Sequence, residues 1–381
     1  MKKNFLFAAV LMLGLAMTAV SCSSDDDENP ENVSSADLDY SAANAQSWHN
    51  YMKNVASLLK NDANTLYEAW NTSYNGGASF ADGFKHQTLS DYQTAKDCVE
   101  QVVDGCITIA TEVGTAKIGD PYNLYVSGRT TEALYAVESW YSWHSRDDYT
   151  NNIYSIRNAY LGSLDGTLHQ ASLSKVVADV DATLDATVKA AINKAAQAIQ
   201  DIPQPFRNHI NSQEAREAMT ACAELVEVMD NRLLPLVRNT LTNEQLAAVV
   251  VNYVDGVVMP TYLDLKNGNA ALYDAVVAFT KNPTDSNFEK ACDAWLEARR
   301  PWEESEAFLF GPVDALGLDP NMDSWPLDQD AIVQILTSGN YDDLNWSDGD
   351  SDDAIEAAQS VRGFHTLEYL LFKDGNPRTV K

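Results

Sequence analysis

Beyond residue 38, apolar residues recur at intervals of three and four along almost the whole chain, the period of helices with one buried face. Tyr40, Ala43, Trp48, Tyr51, Met52, Val55, Leu58, Leu59, Leu66 and Trp70 form the first stripe, and Gly76-Gly77 ends it in a loop. A second helix is expected over 92–113. Ser172, a good N-cap, opens an amphipathic run through Leu173, Val176, Val180, Leu184, Val188, Ile192 and Ile199, expected as one helix that stops before Pro203 and Pro205. Ser212 caps the next, with Ala215, Met219, Cys222, Leu225 and Met229 inward. Thr242 or Asn243 caps a helix bearing Val249, Val250, Tyr253, Val254, Val257 and Val258, which Pro260 interrupts. Further helices are expected over 270–279 and 286–310, the latter kinked or restarted at Pro301. No stretch alternates with period two. The class is all-α: most simply two antiparallel helical bundles over 39–240 and 241–381, divided near Arg238–Asn243.

The most apolar helix lies near the end, Gly363-Phe364-His365-Thr366-Leu367-Glu368-Tyr369-Leu370-Leu371-Phe372. At about 100° per residue, His365 and Glu368 share a face with Val361, Tyr369 and Phe372, while Phe364, Leu367, Leu370 and Leu371 cover the other. An imidazole and a carboxylate on a stripe facing a core need partners.

Composition narrows the chemistry. With 381 residues, 45% of them apolar, two cores are affordable; a net charge of −29 argues against nucleic acid, whose phosphates need a basic surface. Residues 1–21, with Lys2 and Lys3 before an apolar run from Phe5 to Val20, read as an export signal. Ala19-Val20-Ser21-Cys22 resembles a lipoprotein cleavage box, making Cys22 the lipidation site and tying the chain to a membrane. Residues 22–38 read as an acidic, disordered tether, either a solvated spacer or a run resembling the surface-export signal of Bacteroidetes lipoproteins. The expected location is the outer membrane, at its periplasmic face or the cell surface. Cys98, Cys106, Cys222 and Cys292 show no CxxC spacing and read as buried thiols.

Candidate chemistry gathers in the last third. Trp295, Arg299, Trp302, Glu303, Glu306 and Phe310 project to one helix face, where two indoles argue for a lined pocket or a buried polar network over a solvated ion pair. A long loop carries Asp319, Asp323 and Trp325. The acidic run 342–353 lacks the glutamate of a calcium loop and is expected to be disordered. His365-x-x-Glu368 is not the HExxH of zinc proteases. Alone it is an incomplete metal site that Glu303, Glu306 or Asp323 could complete, as helical bundles do in carboxylate-bridged iron proteins. A buried His–Glu network with no ligand is the other reading. Glu138, Ser139, Ser142 and Asn158 lie among the aromatic residues of 130–160 and need hydrogen-bond partners if buried.

The run Ala298-Arg299-Arg300-Pro301-Trp302-Glu303-Glu304-Ser305-Glu306-Ala307-Phe308-Leu309-Phe310-Gly311-Pro312, then Asp323-Ser324-Trp325-Pro326, then Gly363-Phe364-His365-Thr366-Leu367-Glu368, resembles the imelysin family over 248–375. That family carries a GxHxxE motif, a metallopeptidase label that its motifs support thinly, and a tie to bacterial iron uptake. Its GxHxxE half normally comes first, whereas here the matching second half, near Glu138-Ser139-Trp140-Tyr141-Ser142 and Pro203-Gln204-Pro205-Phe206, lies in front. The resemblance therefore implies a circularly permuted chain of two four-helix-bundle-like domains with a site at their junction. It implies iron or another divalent metal, or an iron-bearing ligand. His365, Glu368, Glu306 and Asp323 would be metal ligands, and Arg299, Trp302, Glu303, Trp325, Glu138, Ser139, Ser142 and Asn158 would line the ligand site. The alternatives are a metallopeptidase with Glu368 as general base and a structural or interaction module.

Overall fold

The computed structural model describes residues 38–380 apart from residue 348. The export signal, Cys22 and all of the tether except Leu38 lie outside the described residues. The principal helices are α1 (Ala45–Asn71), α2 (Ala95–Glu112), α3 (Ser145–Leu161), α4 (Ala182–Gln200), α5 (Gln213–Val228), α6 (Asn243–Tyr253), α7 (Met259–Lys281), α8 (Asp285–Glu303), α9 (Leu318–Asp323) and α10 (Gly363–Leu371). The protein is all-α, with one strand pair among the described residues, Phe372–Lys373 against Asn376–Pro377. Two residues per strand are too few to show alternation in sequence.

Packing closes two rings of four helices. In one, α2 packs on α3, α3 on α4, α4 on α5, and α5 on α2; in the other, α1 packs on α7, α7 on α8, α8 on α10, and α10 on α1. Helix α1 therefore joins the bundle of the C-terminal helices, and α6 lies against α2. The expected division at residue 240 does not follow this packing. Periodicity identifies each helix and its buried face, but not which partner covers that face.

Local sequence sets the helix ends. Ser172, Ser212 and Thr242 accept from the backbone N–H three residues on, and Gln245 returns the bond to Thr242 in a capping box. The run after Ser172 is two helices, Leu173–Val180 and α4, because Asp181 leaves the helical region and its carboxylate caps Leu184 N–H at 2.9 Å. Pro260 does not interrupt its run: a π turn over Val254–Val258 carries α6 into α7, and another over Met229–Leu233 precedes Pro235. A wider turn accommodates a residue that cannot donate the usual backbone bond. Pro301 stays inside α8, near its end. The acidic run 342–353 includes a short turn at Asp342–Leu344 and the start of a helix at Asp352, capped by Ser351.

Every residue of α10 is buried, so its last carbonyls cannot turn to water. Other parts of the fold supply the donors: Trp48 Nε1 to Leu370 O at 3.0 Å and Arg378 Nε to Tyr369 O at 3.0 Å, while in the first turn Trp295 Nε1 reaches Phe364 O at 3.0 Å. Tyr51 OH likewise holds the Val361 carbonyl just before the helix, at 2.7 Å. The helix opens on Gly363 at φ 87°, where a Cβ would stand 2.6 Å from the Met322 carbonyl oxygen. Left-handed backbone and close approach both demand glycine there. Gly363→Ala is expected to destabilise the fold by about 2–4 kcal/mol in chemical denaturation. An unchanged midpoint would show that the Met322 loop can retreat freely.

Candidate functional site

His365 sits one-third along α10, fully buried, with each ring nitrogen facing carboxylates. Nδ1 lies 3.1 Å from Glu368 Oε2. Nε2 lies 3.0 Å from Asp323 Oδ1 and 3.3 Å from Glu138 Oε1. Trp325 sets its ring edge-on to the imidazole, 4.9 Å between centroids, and anchors its own Nε1 on the Ala136 carbonyl at 3.1 Å.

The other bundle supplies the second wall. Residues 136–144 form an irregular turn before α3 in which Ser139 and Trp143 hold φ of 53° and 62°. Positive φ at non-glycine residues is costly, and it often accompanies function. This turn aims Ser142 at α10: its backbone N–H and its hydroxyl both donate to Glu368 Oε1, at 2.8 and 2.7 Å. The same turn presents Glu138. Ser139 holds Asp148 Oδ2 at 2.6 Å.

From α8 comes Arg299, fully buried, whose guanidinium pairs with Glu138 Oε1 at 2.7 Å, Glu303 Oε1 at 2.5 Å and Asp323 Oδ1. Trp302 Nε1 fixes the second oxygen of Asp323 at 2.7 Å. Glu306, just beyond α8, faces Lys117 Nζ at 3.8 Å, and Lys117 also pairs with Glu138 Oε2 at 3.0 Å. Two groups of ligand atoms each lie within 4.8 Å of one another: Glu138–Asp323–His365 and Glu303–Glu306–Asp323.

Most of the expected site residues therefore converge, with two corrections. Glu368 belongs to neither group of potential metal ligands. Both its oxygens are engaged, one by His365 Nδ1 and one by Ser142, so it holds the imidazole in place. Asn158 takes its hydrogen bonds from Arg157; Asn152, six residues earlier, is the asparagine that reaches the site, donating to Glu303 Oε2 at 2.6 Å. Lys117, Asp148 and Asn152 join the cluster from outside the expected set of site residues. Lys117 had a signal: it falls on the stripe of Cys106, Ala110 and Val113, where a cation must be buried and paired. It lies at the end of a π turn, Val113–Lys117, that extends α2.

Electrostatics follow from crowding. Burial raises the carboxyls of Glu303, to about 8, and Glu306, well above the usual range; Arg299 and Lys117 respectively offset this only in part. Burial opposes charge on Glu138 and Asp323 as well. Their cationic partners win, Lys117 foremost at Glu138 and Arg299 at Asp323, and both stay below the usual range. For His365, burial and Arg299 push downward, but Asp323 and Glu138 outweigh them and hold the imidazole protonated well above its usual range.

A family model for imelysin matches residues 25–231 and 258–381. The chain belongs to the imelysin family. A crystal structure of an imelysin peptidase from Bacteroides ovatus is 63% identical, with a TM-score of 0.90 over 91% of this chain and 100% of that one. The iron-regulated protein A of Synechococcus elongatus is 33% identical over 128 residues, 34% of this chain and 32% of the relative. The match to this curated relative thus spans about a third of that protein's length. The all-α fold of this chain is accordingly the imelysin fold.

The raised groups fix a pH dependence. An unfolded Glu303 titrates near 4.5 and the folded one near 8, so between these values the folded state holds a proton that the unfolded state has shed. Stability is full below the lower value and falls as pH rises through the window. His365 adds loss in the same direction, from its unfolded value upward through its higher folded one. The thermal midpoint of metal-free protein should fall from pH 5 to 8, and Glu303→Gln should flatten the slope by about one proton, roughly 1.4 kcal/mol per pH unit. Equal slopes in the two proteins would refute a protonated Glu303.

Proposed function

We propose that this imelysin is a cell-envelope lipoprotein that binds iron, another divalent metal or an iron-bearing ligand between its two bundles and serves iron uptake. One observation carries the reading: His365 Nε2 faces Asp323 and Glu138 while Glu368 fixes Nδ1. A ring nitrogen presented among carboxylates, with its other nitrogen anchored on a further carboxylate, is the arrangement of a metal-ligating histidine. The donor set fits, since imidazole and carboxylate together suit iron, manganese and zinc. His365, Asp323 and Glu138 would hold the ion, with Glu303 and Glu306 adjacent. A bound cation would supply the positive charge that so many buried carboxyls lack. The similarity to an iron-regulated protein supports iron within that class.

Lipidation of Cys22 and placement at the outer membrane remain part of the proposal, resting on the cleavage-box pattern. So does the permuted chain order. It draws support from the position of Asp39, which pairs with Arg378 at 2.9 Å and Lys373 at 3.1 Å and so brings the two ends of the fold together.

The geometry is poor for a peptidase whose general base is Glu368, because that carboxylate is fully buried with both oxygens occupied. A purely structural network would leave binding unaffected by any change at His365. Metal analysis of natively purified protein and anaerobic Fe(II) titration separate these readings. Binding is expected, lost in His365→Ala and weakened about 10–100-fold in Glu368→Gln, which removes an orienting group and not a ligand. Absence of binding, or equal binding by His365→Ala, would overturn the proposal.

A further inference from the structure

We infer that Arg299 is a built-in competitor for the cation: its guanidinium holds the ligand carboxylates until a polyvalent ion displaces it, so removing it tightens binding. This inference rests on the metal-binding reading above.

The contacts of the guanidinium coincide with the ligand set. Nη2 meets Glu138 Oε1 at 2.7 Å, Glu303 Oε1 at 2.5 Å and His365 Nε2 at 3.3 Å, and Nη1 meets Asp323 Oδ1. The groups Glu138–Asp323–His365 and Glu303–Glu306–Asp323 thus both have members bound to one side chain. His365 Nε2, which would bind a metal once the ring sheds its proton, faces the same positive group. A cation cannot reach Asp323 Oδ1 and Glu138 Oε1 together while Arg299 keeps both.

The guanidinium is also incompletely held. Its Nε is buried and makes no hydrogen bond, with Asp148 Oδ2 3.8 Å away. A fork with five donors is at its strongest when every donor is used. Asp148, fixed by Ser139, lies outside both ligand groups and offers the displaced guanidinium a carboxylate to retreat to. A monovalent ion exchanging with Arg299 gains no charge, whereas a divalent or trivalent ion does, so the competitor rejects sodium and potassium in favour of multivalent cations. Apparent affinity falls in proportion to the fraction of molecules whose carboxylates are free, and deleting the competitor restores it.

The test is Mn(II) binding by calorimetry, with and without excess sodium, to wild type, Arg299→Gln and the double variant Arg299→Gln/Glu303→Gln. The double variant also removes the carboxyl that lies 2.5 Å from the lost guanidinium, so it stays folded if the single change leaves too many carboxyls uncompensated. It also keeps Glu138, Asp323 and His365 intact. Binding at least tenfold tighter in the variants, with sodium now competing, is the expected result. Where wild type binds and the variants bind equally or more weakly, Arg299 is not a competitor, although the metal site stands. If neither wild type nor the double variant binds Mn(II), and Fe(II) gives the same result, the metal-binding reading fails and takes this inference with it.

Discussion

Carboxyl groups brought together out of water must be compensated, and the junction of the two bundles is built around that demand. Glu138, Asp148, Glu303, Glu306, Asp323 and Glu368 are buried or nearly so around Lys117, Arg299 and His365. Isolated buried charges of this kind cost several kcal/mol each, so the fold keeps them through pairing, shared protons or an added cation. Each unusual piece of backbone nearby serves this purpose. The π turn after α2 delivers Lys117, the positive φ values of Ser139 and Trp143 direct Ser142 and Glu138 inward, and Gly363 lets α10 start against the Met322 carbonyl.

The acidic surface extends the same field outward. Glu112 and Asp319 are exposed, yet both lie within electrostatic reach of Lys117, Glu138 and Asp323. A net charge of −29 makes the protein as a whole attract cations and repel free anions.

Much of this was legible in the sequence wherever a local rule applied. Helical period gave the all-α class, caps gave helix starts at Ser172, Ser212 and Thr242, and the i,i+3 spacing put His365 beside Glu368. The face of Arg299, Trp302, Glu303 and Glu306 was legible for the same reason. What escaped depended on three dimensions. Glu368 reads as a ligand until the turn bearing Ser142 is seen to occupy its other oxygen. Asn158 and Asn152 both lie on α3 and are equally buried; only the direction of α8 favours Asn152. The place of α1 in the second bundle has no sequence signature, because an apolar stripe does not name its partner.

That place of α1 bears on how the protein folds. Trp48 and Tyr51 bind carbonyls some three hundred residues away, at Leu370 and Val361, and the ring of α1, α7, α8 and α10 cannot close before α10 is present. The bundle of α2 to α5 draws its helices from one contiguous stretch of sequence. The other is a high-contact-order assembly whose closing step also completes the carboxylate cluster. During synthesis α1 must wait with its aromatic face uncovered until the last helix of the chain is made.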